Sequence, residues 1–256
     1  MRWAPATCGE WKAQETGSAR ARMSRSAHHW TAASIDSRGP EMTVWVSSVG
    51  RPHLVDPSRL EASARRLYGE SFDSLFGALE PVPEQNIAVA EGDVLGWEVF
   101  PTPGHASHHV GYLRDGLLFA GDACGVRREP GDEVLPFSPP PDIDVERWNV
   151  TIDEIESRGP TRLALTHYGL FGDVGHHLAR FRVALEQWAA LVASGVGPEE
   201  FEKRTRPLSP ELERFETITP RVQSWAGLRR YFDKRTPAEP QADRQQDAAQ
   251  SVDPAR

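Results

Sequence analysis

Three stretches of this chain end in side chains that can hold a cation. They are Thr102-Pro103-Gly104-His105-Ala106-Ser107-His108-His109, Phe119-Ala120-Gly121-Asp122-Ala123-Cys124-Gly125 and Leu163-Ala164-Leu165-Thr166-His167-Tyr168-Gly169. Each delivers a His or an Asp at the end of an apolar run, beside a glycine. Imidazole nitrogens and carboxylate oxygens suit zinc and other borderline divalent ions. A strand end positions a ligand rigidly, and glycine leaves room for an ion or a substrate to approach. His105, Asp122 and His167 are therefore the candidate metal ligands. His53, after a strand and before a helix, and Tyr168, next to His167, are candidates to line a substrate pocket. Cys124 reads as a small, inert core residue, His108 as a rim residue, and His176 and His177 as solvated.

These residues need strands to carry them. Thr43–Val46, Asn86–Ala90, Trp97–Thr102, His109–Arg114, Leu117–Ala120 and Arg162–Thr166 are short runs rich in β-branched and aromatic residues. Asp115-Gly116 between two of them is a strong hairpin signal. Helices are expected from Asp56-Pro57-Ser58, over Phe72–Leu79, Val145–Ser157 and Val174–Val192, and near 198–205 and 219–234. In the fourth of these, Leu178, Phe181, Leu185, Trp188 and Leu191 form one apolar stripe. The Pro/Gly/acidic segment 128–143 reads as a surface loop framing the site. The mixture predicts an α/β or α+β layered domain. It should span 43–235, with an atypical, poorly ordered segment at 1–42 and a disordered polar tail at 236–256.

The order Pro103-Gly104-His105, Gly121-Asp122, Thr166-His167, with a helix after the last His, resembles the second half of the metallo-β-lactamase fold. Within that superfamily it is most similar to the glyoxalase II-like metallo-hydrolases. The resemblance covers about residues 43–235 and implies a four-layer αββα sandwich with a metal site at one edge. It implies that His105 holds a first divalent ion and His167 a second. Asp122 would bridge them as the catalytic carboxylate, and His109 would steady the ligands from behind. The cofactor it implies is zinc, with iron or manganese as alternatives. The activity it implies is attack of water or hydroxide on an ester, thioester or similar bond of a small-molecule substrate.

One part of the family pattern has no counterpart. The signature His-x-His-x-Asp-His is matched nowhere, and the nearest segment is Ser26-Ala27-His28-His29-Trp30. The N-terminal half of the fold is thus expected to be incomplete. That allows a second reading, an inactive chain, truncated or frameshifted, with a binding or vestigial role. The net charge of −8 argues against nucleic-acid and anionic-membrane partners, which call for a basic surface. No apolar run has the ~20 residues of a membrane span. Two cysteines make no disulfide framework. The expected setting is cytoplasmic, and the helices after Pro198 are candidates to cover the pocket or form a homodimer contact.

Overall fold

A computed structural model of the protein describes residues 43–127, 132–167, 169–206 and 219–235. The chain enters through β1 (Val44–Val46), α1 (Arg51–Val55), α2 (Ser58–Tyr68) and α3 (Phe72–Leu75). Eight strands follow: β2 (Ile87–Val89), β3 (Gly92–Val94), β4 (Trp97–Pro101), β5 (Val110–Arg114), β6 (Leu117–Gly121), β7 (Val126–Arg127), β8 (Val134–Leu135) and, after α4 (Val145–Arg158), β9 (Arg162–Leu165). Then come β10 (Gly169–Phe171), α5 (Val174–Ala193), α6 (Pro198–Arg204) and α7 (Arg221–Arg235).

The central sheet has six strands in the order β10-β9-β6-β5-β4-β3. All neighbours are antiparallel except β6 and β9. The β5–β6 hairpin turns at Asp115 (φ 49°) and Gly116 (φ 72°), two consecutive left-handed residues, as a tight primed turn requires. On one face of the sheet Phe100, Leu118, Ala120, Leu163 and Leu165 pack against Trp148, Ile152 and Ile155 of α4 and Leu178, Phe181 and Leu185 of α5. Full burial of each large side chain contributes about 1.5–3 kcal/mol, so this face carries most of the core. On the other face Val94 and Val99 cluster with Ala90, just past β2. There β1 and β2 form a two-stranded parallel sheet, and Tyr112 Oη donates to the Trp45 carbonyl of β1 (3.3 Å).

The fold is thus mixed α/β, with helices on one side of the main sheet and a smaller sheet on the other, consistent with the expected sandwich. Among the described residues the smaller sheet has only β1 and β2. Four strands escaped the sequence reading: β3, β7, β8 and β10, each two or three residues long. So did α1, in which His53 sits. The expectations for 1–42, 236–256 and Tyr168 fall outside the described residues. No helix among the described residues is long and apolar enough to cross a membrane.

Candidate metal centre

The topology explains why the three ligand-bearing segments meet. β5 is antiparallel to both β4 and β6, and β6 is parallel to β9. Hence β4, β6 and β9 all run the same way, and the residues just past their C-terminal ends emerge at one edge of the sheet. His105 follows β4, Asp122 follows β6 and His167 follows β9. The Thr166 N–H donates to the Gly121 carbonyl (3.2 Å), tying the last two ends together.

At this edge the Asp122 carboxylate lies between two imidazoles. His105 Nε2 is 3.7 Å from Oδ2, and His167 Nε2 is 3.4 Å from Oδ1. His167 is 3% exposed and Asp122 9%, so the group is nearly sealed from bulk water. His105 Nδ1 lies 3.0 Å from the Phe137 carbonyl. A carbonyl only accepts, so Nδ1 carries the proton and Nε2 presents its lone pair toward Asp122. Two imidazole nitrogens, one on each oxygen of a shared carboxylate, are a donor set that fits divalent cations.

His109 supports this arrangement from behind. Its Nε2 accepts the Asp122 backbone N–H (3.2 Å), so the ring proton sits on Nδ1 and faces Thr102 Oγ1 (2.6 Å). Burial, reinforced by His105, pushes the His109 imidazole down to about 4, which keeps it neutral near pH 7. Gly121, at a β-bulge with φ 54°, makes room for the ring, because a Cβ there would lie 2.3 Å from His109 Nε2.

The Pro-Gly-His turn is clamped by α4. Gly104 (φ 134°) packs so closely on this helix that a Cβ would lie 2.4 Å from Trp148 Cβ and 2.5 Å from its Cα. The Asp144 N–H donates to the Gly104 carbonyl (2.9 Å) and Thr151 Oγ1 to the Pro103 carbonyl (2.5 Å). Trp148, fully buried, donates from Nε1 to the Ala123 carbonyl (2.7 Å), and its ring is 5.7 Å from that of His105. One side chain thus steadies the turns carrying both His105 and Asp122.

Several expectations need correction. Segment 128–143 frames the site as expected, but it is a surface loop only in part: Asp132, Pro141 and Asp142 are exposed and its middle is buried. Pro136, Phe137, Ser138 and Pro139 are buried, and the Phe137 ring stands 6.2 Å from the rings of both His105 and His167. His177 is not solvated. It is fully buried in α5, and its Nε2 donates to the Cys124 carbonyl (2.8 Å). His176 is exposed, as expected. Cys124 is fully buried, and burial pushes its thiol up to about 12, which makes it unreactive. His53 is half-buried, its ring 6.1 Å from that of His108. Burial raises the Tyr68 phenol pKa and the Asp122 charge raises it further.

Sequence reasoning missed Phe137, Trp148 and Thr102. Thr102 could have been found, because it is the last residue before the Pro-Gly-His turn. Phe137 and Trp148 carry no local signal, since their roles come from what the fold sets against them.

A second cluster brings donor atoms closer together. Among the described residues, Asp132, Asp173 and His176 form the trio whose donor atoms all lie within 4.8 Å of one another. All three are exposed, and cations already occupy their oxygens. Arg127 donates to both oxygens of Asp173 (2.8 Å each) and to Asp132 (3.2 Å), and Arg180 donates to Asp132 (2.6 and 2.9 Å). The bond to His176, followed by that to Arg180, holds the Asp132 carboxyl below its usual range, and the bond to Arg127 does the same for Asp173. This is an ion-pair network, not a vacant cage.

A mixed α/β fold with a carboxylate between two imidazoles at one sheet edge defines a class of metal-binding hydrolytic folds. The family model of the metallo-beta-lactamase superfamily matches residues 26–167. The chain belongs to that superfamily. A metallo-beta-lactamase fold-containing protein of Sulfurisphaera tokodaii is 29% identical over 119 residues, 44% of this chain and 44% of that protein. The match spans less than half of that relative. The crystal structure of an archaeal superfamily protein from Sulfolobus tokodaii superposes with a TM-score of 0.53 at 23% identity, covering 73% of this chain and 70% of that one. A metallo-beta-lactamase family protein from Thermus thermophilus superposes with a TM-score of 0.50 at 16% identity, covering 75% and 65%.

Proposed function

We propose that the protein is a metal-dependent hydrolase of esters or thioesters, of the glyoxalase II-like kind, with His105, Asp122 and His167 as ligands to zinc, iron or manganese. The observation that carries this reading is the Asp122 carboxylate with an imidazole nitrogen facing each of its oxygens. His105 and His167 each approach a different oxygen, which suits a carboxylate shared between two ion positions. Bound divalent ions would supply an activated water at neutral pH and polarise the scissile carbonyl.

The chain's own residues prepare that site. The Phe137 carbonyl holds the proton of His105 on Nδ1 and keeps Nε2 free to coordinate. His109 holds its proton on Nδ1, toward Thr102, and fixes the Asp122 backbone through Nε2. The Phe137 and Trp148 rings keep bulk water from the imidazoles, which strengthens every charge interaction there.

The test is metal content and turnover of the purified full chain. Near-stoichiometric zinc, iron or manganese, with hydrolysis of a thioester or ester panel that is lost in Asp122→Ala, supports the reading. A chain that takes up no metal and hydrolyses nothing sinks it and favours the inactive alternative.

A further inference from the structure

The last described helix, α7, grips a strap that reaches the candidate ligands. This strap, residues 134–141, runs from β8 past the metal centre. Its Phe137 carbonyl accepts the His105 Nδ1 proton, and its Phe137 ring stands beside both histidines. The next residue, Ser138, is fully buried and bonded twice to Ser224 of α7. Its N–H donates to Ser224 Oγ (3.1 Å) and its Oγ donates to the Ser224 carbonyl (3.4 Å). One turn on, Gly227 lets the helix backbone rest on the strap. A Cβ there would lie 1.9 Å from the Ser138 carbonyl oxygen and 2.9 Å from Pro139 C. Those are backbone atoms, which cannot swing aside as the end of a flexible side chain would. Further along, Lys234 Nζ donates to the Pro141 carbonyl (3.1 Å), and Tyr231 donates to Glu146 in the first turn of α4.

We infer that Ser224 and Gly227 are positioning residues: through Ser138 they set the Phe137 carbonyl, and so decide which nitrogen of His105 is left to bind metal. Carbonyl and N–H belong to one nearly rigid stretch of backbone, so a strap displaced at Ser138 carries the Phe137 carbonyl with it. An imidazole that loses this acceptor no longer favours one tautomer. Where the partner of a ligating histidine is lost, metal affinity typically falls ~10–100-fold. The inference rests on His105 as a metal ligand.

The experiment uses the full chain and two readouts. The first is zinc affinity, by competition with a chromophoric chelator. The second is the long-range 1H–15N pattern of His105 in the metal-free protein, assigned by comparison with His105→Gln. Wild type should show a protonated Nδ1. Gly227→Ala should give a mixed tautomer pattern and a loss of zinc affinity of at least ~10-fold. Ser224→Ala should shift both readouts the same way by less, and Ser224→Thr, which keeps the acceptor, should restore them. Leu228→Val, buried in the same helix but making none of the strap's hydrogen bonds, should lower the melting temperature and leave both readouts at wild type. If Gly227→Ala does not fold, Ser224→Ala decides. Folded Ser224→Ala and Gly227→Ala proteins with the wild-type tautomer pattern overturn the inference. If wild type takes up no zinc, iron or manganese and hydrolyses nothing, the hydrolase reading fails, and the tautomer pattern still decides the coupling.

Discussion

Two clusters of acid and histidine sit on this molecule, and they invert the usual expectation from proximity. In the exposed one, Asp132, Asp173 and His176 bring their donor atoms within 4.8 Å. In the buried one, the Asp122 oxygens stand 3.4 and 3.7 Å from His167 and His105. Arg127 and Arg180 already neutralise the exposed carboxylates. In the buried cluster the Phe137 carbonyl holds the His105 proton on Nδ1, and His109 behind it holds its own proton toward Thr102. What makes a metal site is the preparation of its lone pairs, more than the crowding of its atoms.

The sharpest way to break this comparison is to remove a carboxylate from each cluster. Asp122→Ala should abolish tight zinc uptake, a loss of more than ~100-fold, since losing a ligand exceeds the usual effect of losing a supporting group. Asp132→Ala should leave zinc stoichiometry and affinity unchanged. Zinc titration of both variants checks this, and a loss of tight binding in Asp132→Ala would reverse the assignment.

Glycines near the two clusters give a second contrast. Gly121→Ala meets His109 at 2.3 Å and Gly104→Ala meets Trp148 at 2.4 Å, both from left-handed backbone. Each should cost about 2–4 kcal/mol of stability, the range of strain combined with overpacking. Gly172 and Gly175, beside the exposed cluster, have no heavy atom within 4 Å of such a Cβ. Gly175→Ala, inside α5, should be neutral or stabilising by up to about 1 kcal/mol. Urea unfolding of the three variants orders them.

How much of this could be read from the sequence follows the same divide. The candidate ligands announce themselves, because Pro103-Gly104-His105, Gly121-Asp122 and Thr166-His167 each sit where an apolar run stops at a glycine or a turn. The longer helices were legible from their 3.6-residue stripes, as in Leu178, Phe181 and Leu185. Strands of two or three residues, such as Val126–Arg127, are too short to show any period. The strap was misread for a physical reason. Three consecutive prolines and nearby acidic residues usually mark exposed chain, whereas here Ser138 is buried and bonded to Ser224 of α7, 86 residues further along the chain. Only a long-range contact of that kind could have revealed it. His177 misled similarly: at the start of a helix it looks solvated, and Cys124 across the core supplies its partner.

Acid should separate the clusters more gently. His109 titrates at about 4 in the fold, held down by burial, against about 6.5 when unfolded. Between those values the unfolded chain binds the extra proton, so stability falls as pH drops through this window. For the metal-free protein the loss is on the order of 3 kcal/mol from this residue. His177, also lowered by burial, acts with the same sign. His109→Gln can still accept from Asp122 and donate to Thr102 without titrating, so its stability should depend less on pH. Urea midpoints on either side of the window test this, and equal slopes in variant and wild type would remove His109 as the cause.

The smallest effect belongs to the exposed network. Arg180 is 46% and Asp132 48% exposed. Charges this open are solvated in the unfolded chain as well as in the fold, and holding two long side chains in one geometry costs entropy. Arg180→Ala should therefore barely move the unfolding midpoint at low salt. It should not move it at all in ~1 M salt, where the screening length is about 3 Å. Arg127 differs in degree: its side chain is 11% exposed and its guanidinium lies 4.8 Å over the Phe171 ring. Arg127→Ala removes that packing as well as the charge, and packing is not screened. Its effect should be larger than that of Arg180→Ala and should persist in high salt. Were the two variants to respond to salt alike, the Arg127 contact with Phe171 would count for nothing, and the exposed cluster would be held by charge alone.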